Sequence, residues 1–391
     1  MKERDIERMI AFRRELHRFP ELSCHEQQTA ERVVGMLREI GVDEVHQGIG
    51  GHGVVGIING LSAGRSVGLR ADMDALPLAE DNTTEYCSRH QGVMHACGHD
   101  GHTAMLVGAA LDLVQHRPVS GRVVLVFQPA EELGTGAPAM LDDGLLERFP
   151  IEAMFGMHNW PGVESGCFVI HDRPHMASSD DFEVQFNSEG GHGAMPHLTT
   201  DPIFAAGLFV TALQQVVSRN TNPEDIAVVS VGSIQSGHAS NIIPAMASIK
   251  GTARSFKPEV RRHTAQRIHE IVKGIGLATG CPPTIDYRLS TPPVANDPGC
   301  AALARSVVEE LWGVSQLVDH PISMGADDMG AFLEKVPGAY AWIGNGCGGT
   351  APRLHQPDYD FNDDILEKGS RFLSHAARRF LDSNRCVQEE I

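Results

Sequence analysis

The sequence predicts an α/β protein carrying one inserted domain, and three observations lead there. Short runs of continuous Val, Ile and Leu alternate with helical patterns, as in a sheet covered on both faces. The middle of the chain follows a separate order, β-α-β-β-α-β, the ferredoxin-like arrangement. Proline-marked junctions flank that middle section, at Arg173-Pro174 and Thr291-Pro292-Pro293. The expected boundaries fall near 176 and 290, giving 1–176 and 290–391 as one domain and 177–289 as the insertion.

Apolar residues at helical spacing predict a helix over 6–18, ending at Pro20, and a second over 25–40, closed by Gly41. Strands are expected at 54–58 and 66–70, a helix at 101–116, and buried strands at 122–127, 153–157 and 339–343. Inside the insertion, 182–186 alternates like a strand and leads into a glycine-rich segment, 189–194. A long helix over 201–218, strands at 226–234 and 247–253, a helix over 258–275 and a strand at 284–288 complete it.

At 391 residues the chain is too long for a single ordinary core. Acidic residues outnumber basic ones by 50 to 32, for a net charge of −18, which argues against nucleic acid as a partner. No run approaches the roughly 18 apolar residues of a membrane helix, and the opening MKERDIERMI lacks the apolar core of a signal peptide. Eight cysteines, at 24, 87, 97, 167, 281, 300, 347 and 386, are too scattered for a disulfide framework. A soluble, cytoplasmic protein without membrane or nucleic-acid partners is expected.

Chemistry concentrates in a few segments. MHACGHDGH at 94–102 places Cys97 and His99 one residue apart on a loop expected to be extended, before a helix. Thiolate and imidazole suit zinc, cobalt or nickel. Asp100 is read either as a cap of that helix or as a hydrogen-bond partner of a ligand histidine. Glu131 and Glu132 follow a buried strand, at the end where open α/β sheets place their sites. One carboxylate of such a pair can ligate a metal while its neighbour acts as general base. Alone, a Glu-Glu pair is usually a solvated loop. His158 closes another apolar run, and His355 follows the 339–343 strand and a glycine-rich loop. Separate strand ends each delivering a metal-ligating side chain are most simply explained by one shared site. His192, in GGHGAMPH, belongs to the insertion and reads equally well as a turn histidine.

Taken together, LHRFPELSCHE (16–26), GLRADMDALP (68–77), MHACGHDGH, FQPAEE (127–132), GMHNWP (156–161), GGHGAMPH (190–197), NIIP (241–244), GTARSF (251–256) and LHQPDYDFND (354–363) resemble the metallopeptidase superfamily of carboxypeptidase G and aminoacylase. The match is to its amidohydrolase branch of hippurate hydrolases, auxin-conjugate hydrolases and N-acetyl-diaminopimelate deacetylases. The resemblance implies a phosphorylase/hydrolase-like catalytic domain with a mixed central sheet, and an inserted lid and dimerisation domain. It makes Cys97, His99, Glu132, His158 and His355 ligands of two divalent ions (zinc, manganese, cobalt or nickel), with Cys97 bridging. Glu131 becomes the base acting on a water between the ions. His192 becomes an oxyanion donor reaching the partner subunit's site in a homodimer or dimer of dimers, and Asn241 and Arg254 become substrate-binding residues. Relatives carry Glu-Asp-Phe where this chain has Asp327-Asp328-Met329, a departure expected to alter the pocket.

The implied activity is hydrolysis of the amide bond of hippurate-like or N-acetyl amino acids. Two rivals stand beside it: a dipeptidase or carboxypeptidase using the same metal site, and a non-catalytic metal-binding protein. Scattered ligands with a spare carboxylate beside one of them favour an enzyme over the closed knuckle of a structural zinc site.

Overall fold

The computed structural model describes residues 1–346 and 353–383. Cys347, Cys386 and most of the glycine-rich loop before His355 lie outside them. The chain divides into two compact units: Met1–Arg173 with Ala295–Pro321 and the described part of Asp328–Ile391, and Pro174–Val294 with Ile322–Asp327. Among the described residues no helix is long and apolar enough to cross a membrane.

The first unit is built on a seven-stranded mixed sheet. Six of its strands are β1 (Glu44–Ile49), β2 (Gly53–Asn59), β3 (Ser66–Asp72), β4 (Arg122–Gln128), β5 (Ala153–Pro161) and β6 (Phe168–Val169), and the last is Gly338–Gly346. The order is β1, β2, β4, β3, β5, Gly338–Gly346, β6. The four strands from β4 to Gly338–Gly346 run parallel, while β1, β2 and β6 are antiparallel to their neighbours. The parallel strands are the runs of Val, Leu, Phe and Ala, buried on both faces; β3 is buried throughout. β1 escaped the sequence reading because EVHQGI is a polar, largely exposed edge strand with no apolar pattern to reveal it.

The helix His99–Gln115 packs against β3 and against the helices Glu3–Arg18 and Leu366–Asp382. Its residues 104–111 are apolar and almost all fully buried, and a helix of that kind belongs inside a core. The three helices pack closely at Gly108: a Cβ there would lie 2.0 Å from Met9 Sδ and 2.2 Å from Ser370 Oγ. Each fully buried Leu, Val or Met of this core contributes roughly 1.5–3 kcal/mol. The result is a rigid seat for the residues at the helix N-terminus.

The second unit has the order Ser179–Asn187, helix Pro202–Leu213, Ala227–Ser236, Met246–Ser255, helix Pro258–Thr279, Pro283–Thr291. Its four strands form an antiparallel sheet with Ala227–Ser236 and Pro283–Thr291 at the edges, the ferredoxin-like order expected. Phe182, Val184, Phe186, Ala247 and Ile249 form the inner face, under Phe209, Ile268 and Val272 of the two helices. Asp201 starts the first helix by accepting from the amides of Ile203 and Phe204. The helical run expected over 201–218 is split, with Gln215–Asn220 following as a separate short helix.

Candidate metal centre

The C-terminal ends of the parallel strands of the first unit carry the chemistry. β3 ends in Asp72, with Asp74 two residues on; Glu131 and Glu132 follow β4; His158 lies within β5; His355 follows Gly338–Gly346. The helix starts at His99, two residues earlier than expected, because Gly98 adopts a left-handed φ of +90° and turns the chain directly into it. Cys97 and His99 are therefore presented by a helix start, and the extended loop expected there is absent. β5 also runs past its expected end, so His158 projects from the strand itself.

These side chains converge. Ligand atoms of Cys97, His99 and His158 lie within 4.8 Å of one another, as do those of Cys97, Glu132 and His355, and those of His99, Glu131 and Glu132. Cys97 Sγ is 3.4 Å from His158 Nε2. His99 Nε2 is 3.9 Å from both Glu131 Oε2 and Glu132 Oε1, and His355 Nε2 is 3.5 Å from Glu132 Oε1. His355 holds a left-handed φ of +61°, its amide donating to the Ala96 carbonyl at 2.8 Å. Such backbone strain in a non-glycine residue is typical of functional positions.

The histidine tautomers follow from the hydrogen bonds. His99 Nδ1–H donates to the Asp74 carbonyl at 2.9 Å and also faces Asp74 Oδ1 at 3.1 Å. His158 Nδ1–H donates to the Asn159 carbonyl at 2.6 Å. Both rings thus turn Nε2 into the cluster, the arrangement that metal-ligating histidines adopt. His102 is wired differently. Its Nδ1–H donates to Asp72 at 2.6 Å, and its Nε2 accepts from the Asn159 amide at 3.0 Å, so neither nitrogen faces the cluster.

Burial lowers the His158 pKa well below its ordinary value, helped by His102, and leaves the ring neutral. Burial also opposes a charge on His99, but Asp72 and Cys97 outweigh it and push that pKa well up. Burial, with Glu132 beside it, raises Cys97. The cluster is a concentration of negative groups that calls for a cation. His99 Nε2 and Glu132 Oε1 are buried with no hydrogen-bond partner, the condition of atoms prepared for a ligand. Thiolate, imidazole and carboxylate at this spacing fit a divalent transition metal, whose charge would also deprotonate the thiol.

Residues 68–379 match the peptidase family M20/M25/M40. The chain belongs to this family. It is 40% identical to a hippurate hydrolase of Campylobacter jejuni over 370 residues, 94% of this chain and 95% of that protein. It is 37% identical to an N-acetyl-L-cysteine deacetylase of Bacillus subtilis, over 96% of this chain and 89% of the relative. A solved structure of a Bacillus subtilis dinuclear metal-binding peptidase of the M20 family superposes with a TM-score of 0.85 at 32% identity, covering 97% of this chain and 99% of the other.

In this M20 chain the cluster is supported by further buried side chains that the sequence pattern did not reveal. Asp74 Oδ2 accepts from the Glu132 amide at 3.0 Å and from Ser23 Oγ at 2.6 Å, so it ties the carboxylate turn to His99. Asp72 is held by the buried Arg70 at 2.7 Å, and Arg70 also reaches Gln128, Tyr340 and Asp328. Burial alone would raise the Asp72 carboxyl, but His99, Arg70 and His102 hold it well below the usual carboxylate range. The available signal was an Asp-x-Asp pair directly after a buried strand, the same argument that found Glu131 and Glu132.

Asp100 takes neither expected role. It makes no cap hydrogen bond and accepts instead from His17 Nδ1 at 2.7 Å, paired with Arg13 at 3.0 Å. Asp328, which lies between the two departing positions Asp327 and Met329 and itself keeps the relatives' aspartate, is fully buried and accepts from Gln128 Nε2 and the Ala137 amide, so it braces the sheet. His192, Asn241 and Arg254 lie in the second unit. His192 pairs with Ile242 across two short strands, the Gly193 amide donates to the Asn241 carbonyl, and Arg254 sits on Met246–Ser255.

Proposed function

We propose that the chain hydrolyses the amide bond of N-acyl amino acids, hippurate-like or N-acetyl compounds, as a metal-dependent amidohydrolase. Cys97, His99, Glu132, His158 and His355 hold two divalent ions, with Glu131 as general base. One observation carries this reading: buried donors with unpartnered ligand atoms converge beside a second carboxylate. The identity to a hippurate hydrolase and an N-acetyl-L-cysteine deacetylase supports the substrate class, and the likeness to a dinuclear peptidase supports two ions.

When bound, the ions polarise the scissile carbonyl and lower the pKa of water towards about 7. Glu131 takes a proton from the attacking water as its oxygen bonds to the carbonyl carbon. The same carboxyl returns that proton to the nitrogen as the C–N bond breaks, releasing a carboxylic acid, whose proton passes to the amine or to solvent, and an amine. His192 Nδ1 accepts from the Ala194 amide at 3.0 Å, so a neutral ring carries its proton on Nε2, the form an oxyanion donor needs. A donor of that kind contributes roughly 3–4 kcal/mol. Arg254 offers a planar fork for the substrate carboxylate, with Asn241 beside it in this role.

His192 serves the partner subunit's site in a homodimer. The edge strand Ala227–Ser236 exposes Val228 and Ile234 and has no strand beyond it among the described residues, an edge suited to pairing with a second copy. The thiolate favours zinc, cobalt or nickel, and manganese is compatible with the carboxylate and imidazoles. None of the six described cysteines forms a disulfide, which suits a reducing cytoplasm.

The test is a hydrolysis panel with apo-protein reconstituted separately with each metal. Hippurate and N-acetyl amino acids are expected to be cleaved. Preference for free dipeptides would replace this reading with a dipeptidase. Metal binding without hydrolysis of any substrate would leave only a metal-binding protein.

A further inference from the structure

The carboxylates need a fixed turn as well as a strand end, and the 23–26 segment grips that turn. Ala130, directly before Glu131, holds a left-handed φ of +52°. A residue with a Cβ adopts that conformation at a cost of roughly 1–2 kcal/mol. Its carbonyl accepts from the Thr135 and Gly136 amides at 3.3 and 3.1 Å. Its own amide donates to Glu26 Oε1 at 2.8 Å, and the same oxygen accepts from the Cys24 amide at 3.0 Å. A second hold lies two residues on, where Ser23 and the Glu132 amide share Asp74 Oδ2.

Glu26 occupies the N-cap position of the helix Gln27–Ile40, yet its carboxylate makes no cap hydrogen bond. Glu21 serves that helix instead, accepting from the Thr29 amide at 2.7 Å and its hydroxyl at 2.9 Å. The Glu26 side chain is thus released from the ordinary task of its position and points across to the turn. Keeping it there is expensive: the residue is fully buried, and Oε2 has no hydrogen-bond partner. Burial pushes its pKa up to about 7. An apolar residue would fill the same space more cheaply, so the acceptor itself is what the site requires.

We propose that Glu26 is a positioning residue for hydrolysis: it pins the Ala130 amide, locks the left-handed turn and so fixes where Glu131 and Glu132 project. This rests on the reading of Glu131 as base and Glu132 as ligand.

The experiment compares wild type with Glu26→Ala, Glu26→Gln and the double variant Glu26→Ala/Ala130→Gly. It reads kcat and KM on the cleaved N-acyl amino acid, manganese affinity by calorimetry, and thermal midpoint. Glu26→Ala should lose about 10–100-fold in kcat and in manganese affinity, the usual cost of removing an outer-shell partner, with little change in KM. Glu26→Gln keeps a carbonyl acceptor and should restore kcat. Ala130→Gly, free to adopt the left-handed turn unaided, should recover part of the loss in the Glu26→Ala background. If Glu26→Ala does not fold, Glu26→Leu fills the space and is read in its place. A folded Glu26→Ala or Glu26→Leu with wild-type kcat per metal-loaded molecule overturns this inference alone. A metal-loaded wild type that hydrolyses none of the panel overturns the amidohydrolase reading and this inference with it.

Discussion

Gly98 separates Cys97 from His99, so replacing it with alanine perturbs both donors without touching either side chain. A Cβ there would lie 2.3 Å from Asn159 Nδ2 and 2.5 Å from Tyr359 Oη. Neither obstacle is a loose side-chain end. Tyr359 Oη donates to Asn159 Oδ1 at 2.6 Å, and Asn159 Nδ2 donates to the Cys97 carbonyl at 2.7 Å, all within the buried interior. Relieving the shorter contact to 3.0 Å, below which Cβ atoms essentially never sit, takes a shift of 0.7 Å (3.0 minus 2.3). Alanine in the left-handed region adds roughly 1–2 kcal/mol. Functional constellations tolerate about 0.5 Å, and a misplacement near 1 Å costs about 10²-fold. Gly98→Ala should therefore lower kcat/KM by about 10²-fold and weaken metal binding, while circular dichroism remains that of a folded protein. Calorimetric titration with zinc or manganese and steady-state kinetics on hippurate check this. A Gly98→Ala protein that binds metal and turns over like wild type would refute the argument that the Cys97–His99 backbone is rigidly seated.

Glu131→Gln should retain both ions, by elemental analysis, and lose about 10²–10⁴-fold in kcat, the range for a positioned general base; undiminished turnover removes Glu131 from that role. Arg70→Met removes the guanidinium shared by the buried Asp72 and Asp328, leaving Asp72 to His102 and Asp328 to the neutral Gln128 and Ala137 donors, which should cost up to about 3–5 kcal/mol, seen as a lower denaturation midpoint; an unchanged midpoint would mean that these remaining partners suffice without the guanidinium. His17 gains Asp100 and Glu80 as partners, which overcome burial and raise its pKa from 6.5 to about 9. The folded value lies above the unfolded one, so this stabilisation is complete below pH 6.5 and is lost as pH rises towards 9. The stability gap between wild type and His17→Gln should shrink over that window by on the order of 3 kcal/mol, and a gap independent of pH would contradict it. Mixing inactive Glu131→Gln with inactive His192→Ala should restore activity through mixed dimers that each contain one intact site; no recovery after verified subunit exchange would place His192 in its own subunit's site or outside catalysis.

What the sequence revealed and what it hid divide along a physical line. Cys97, His99, Glu131, Glu132, His158 and His355 were legible because a parallel sheet sends its strand ends to one edge, and metal-ligating residue types at several such ends are rarely accidental. The β-α-β-β-α-β insertion was legible because alternation and helical spacing are local. The supporting residues were not, because their roles depend on partners far away in the chain. Asp100 looked like a cap until the fold brought Arg13 and His17 to it. Asp328 had no role assigned from the sequence, and only the sheet shows it bracing Arg70, Gln128 and the Ala137 amide.

The same division explains why the candidate ligand histidines need their neighbours. Local sequence says that His99 and His158 can bind a metal, but not which nitrogen each will offer. That choice is made by the Asp74 and Asn159 carbonyls, which take the Nδ1 protons and turn both Nε2 atoms inward. His102 has the same chemistry three residues from His99, yet it is excluded because Asp72 and the Asn159 amide occupy its two nitrogens. Asn159 therefore acts on both sides of the distinction, fixing His158 as a donor to the site through its carbonyl and withdrawing His102 through its amide. A replacement that removed only its side chain would leave both of those backbone bonds in place. It would release the Cys97 carbonyl and Tyr359 and remove the Asn159 Nδ2 contact to His102 Nε2, whose backbone donor remains, so the Cys97 backbone and not the histidine tautomers should be the part of the candidate centre that loosens first.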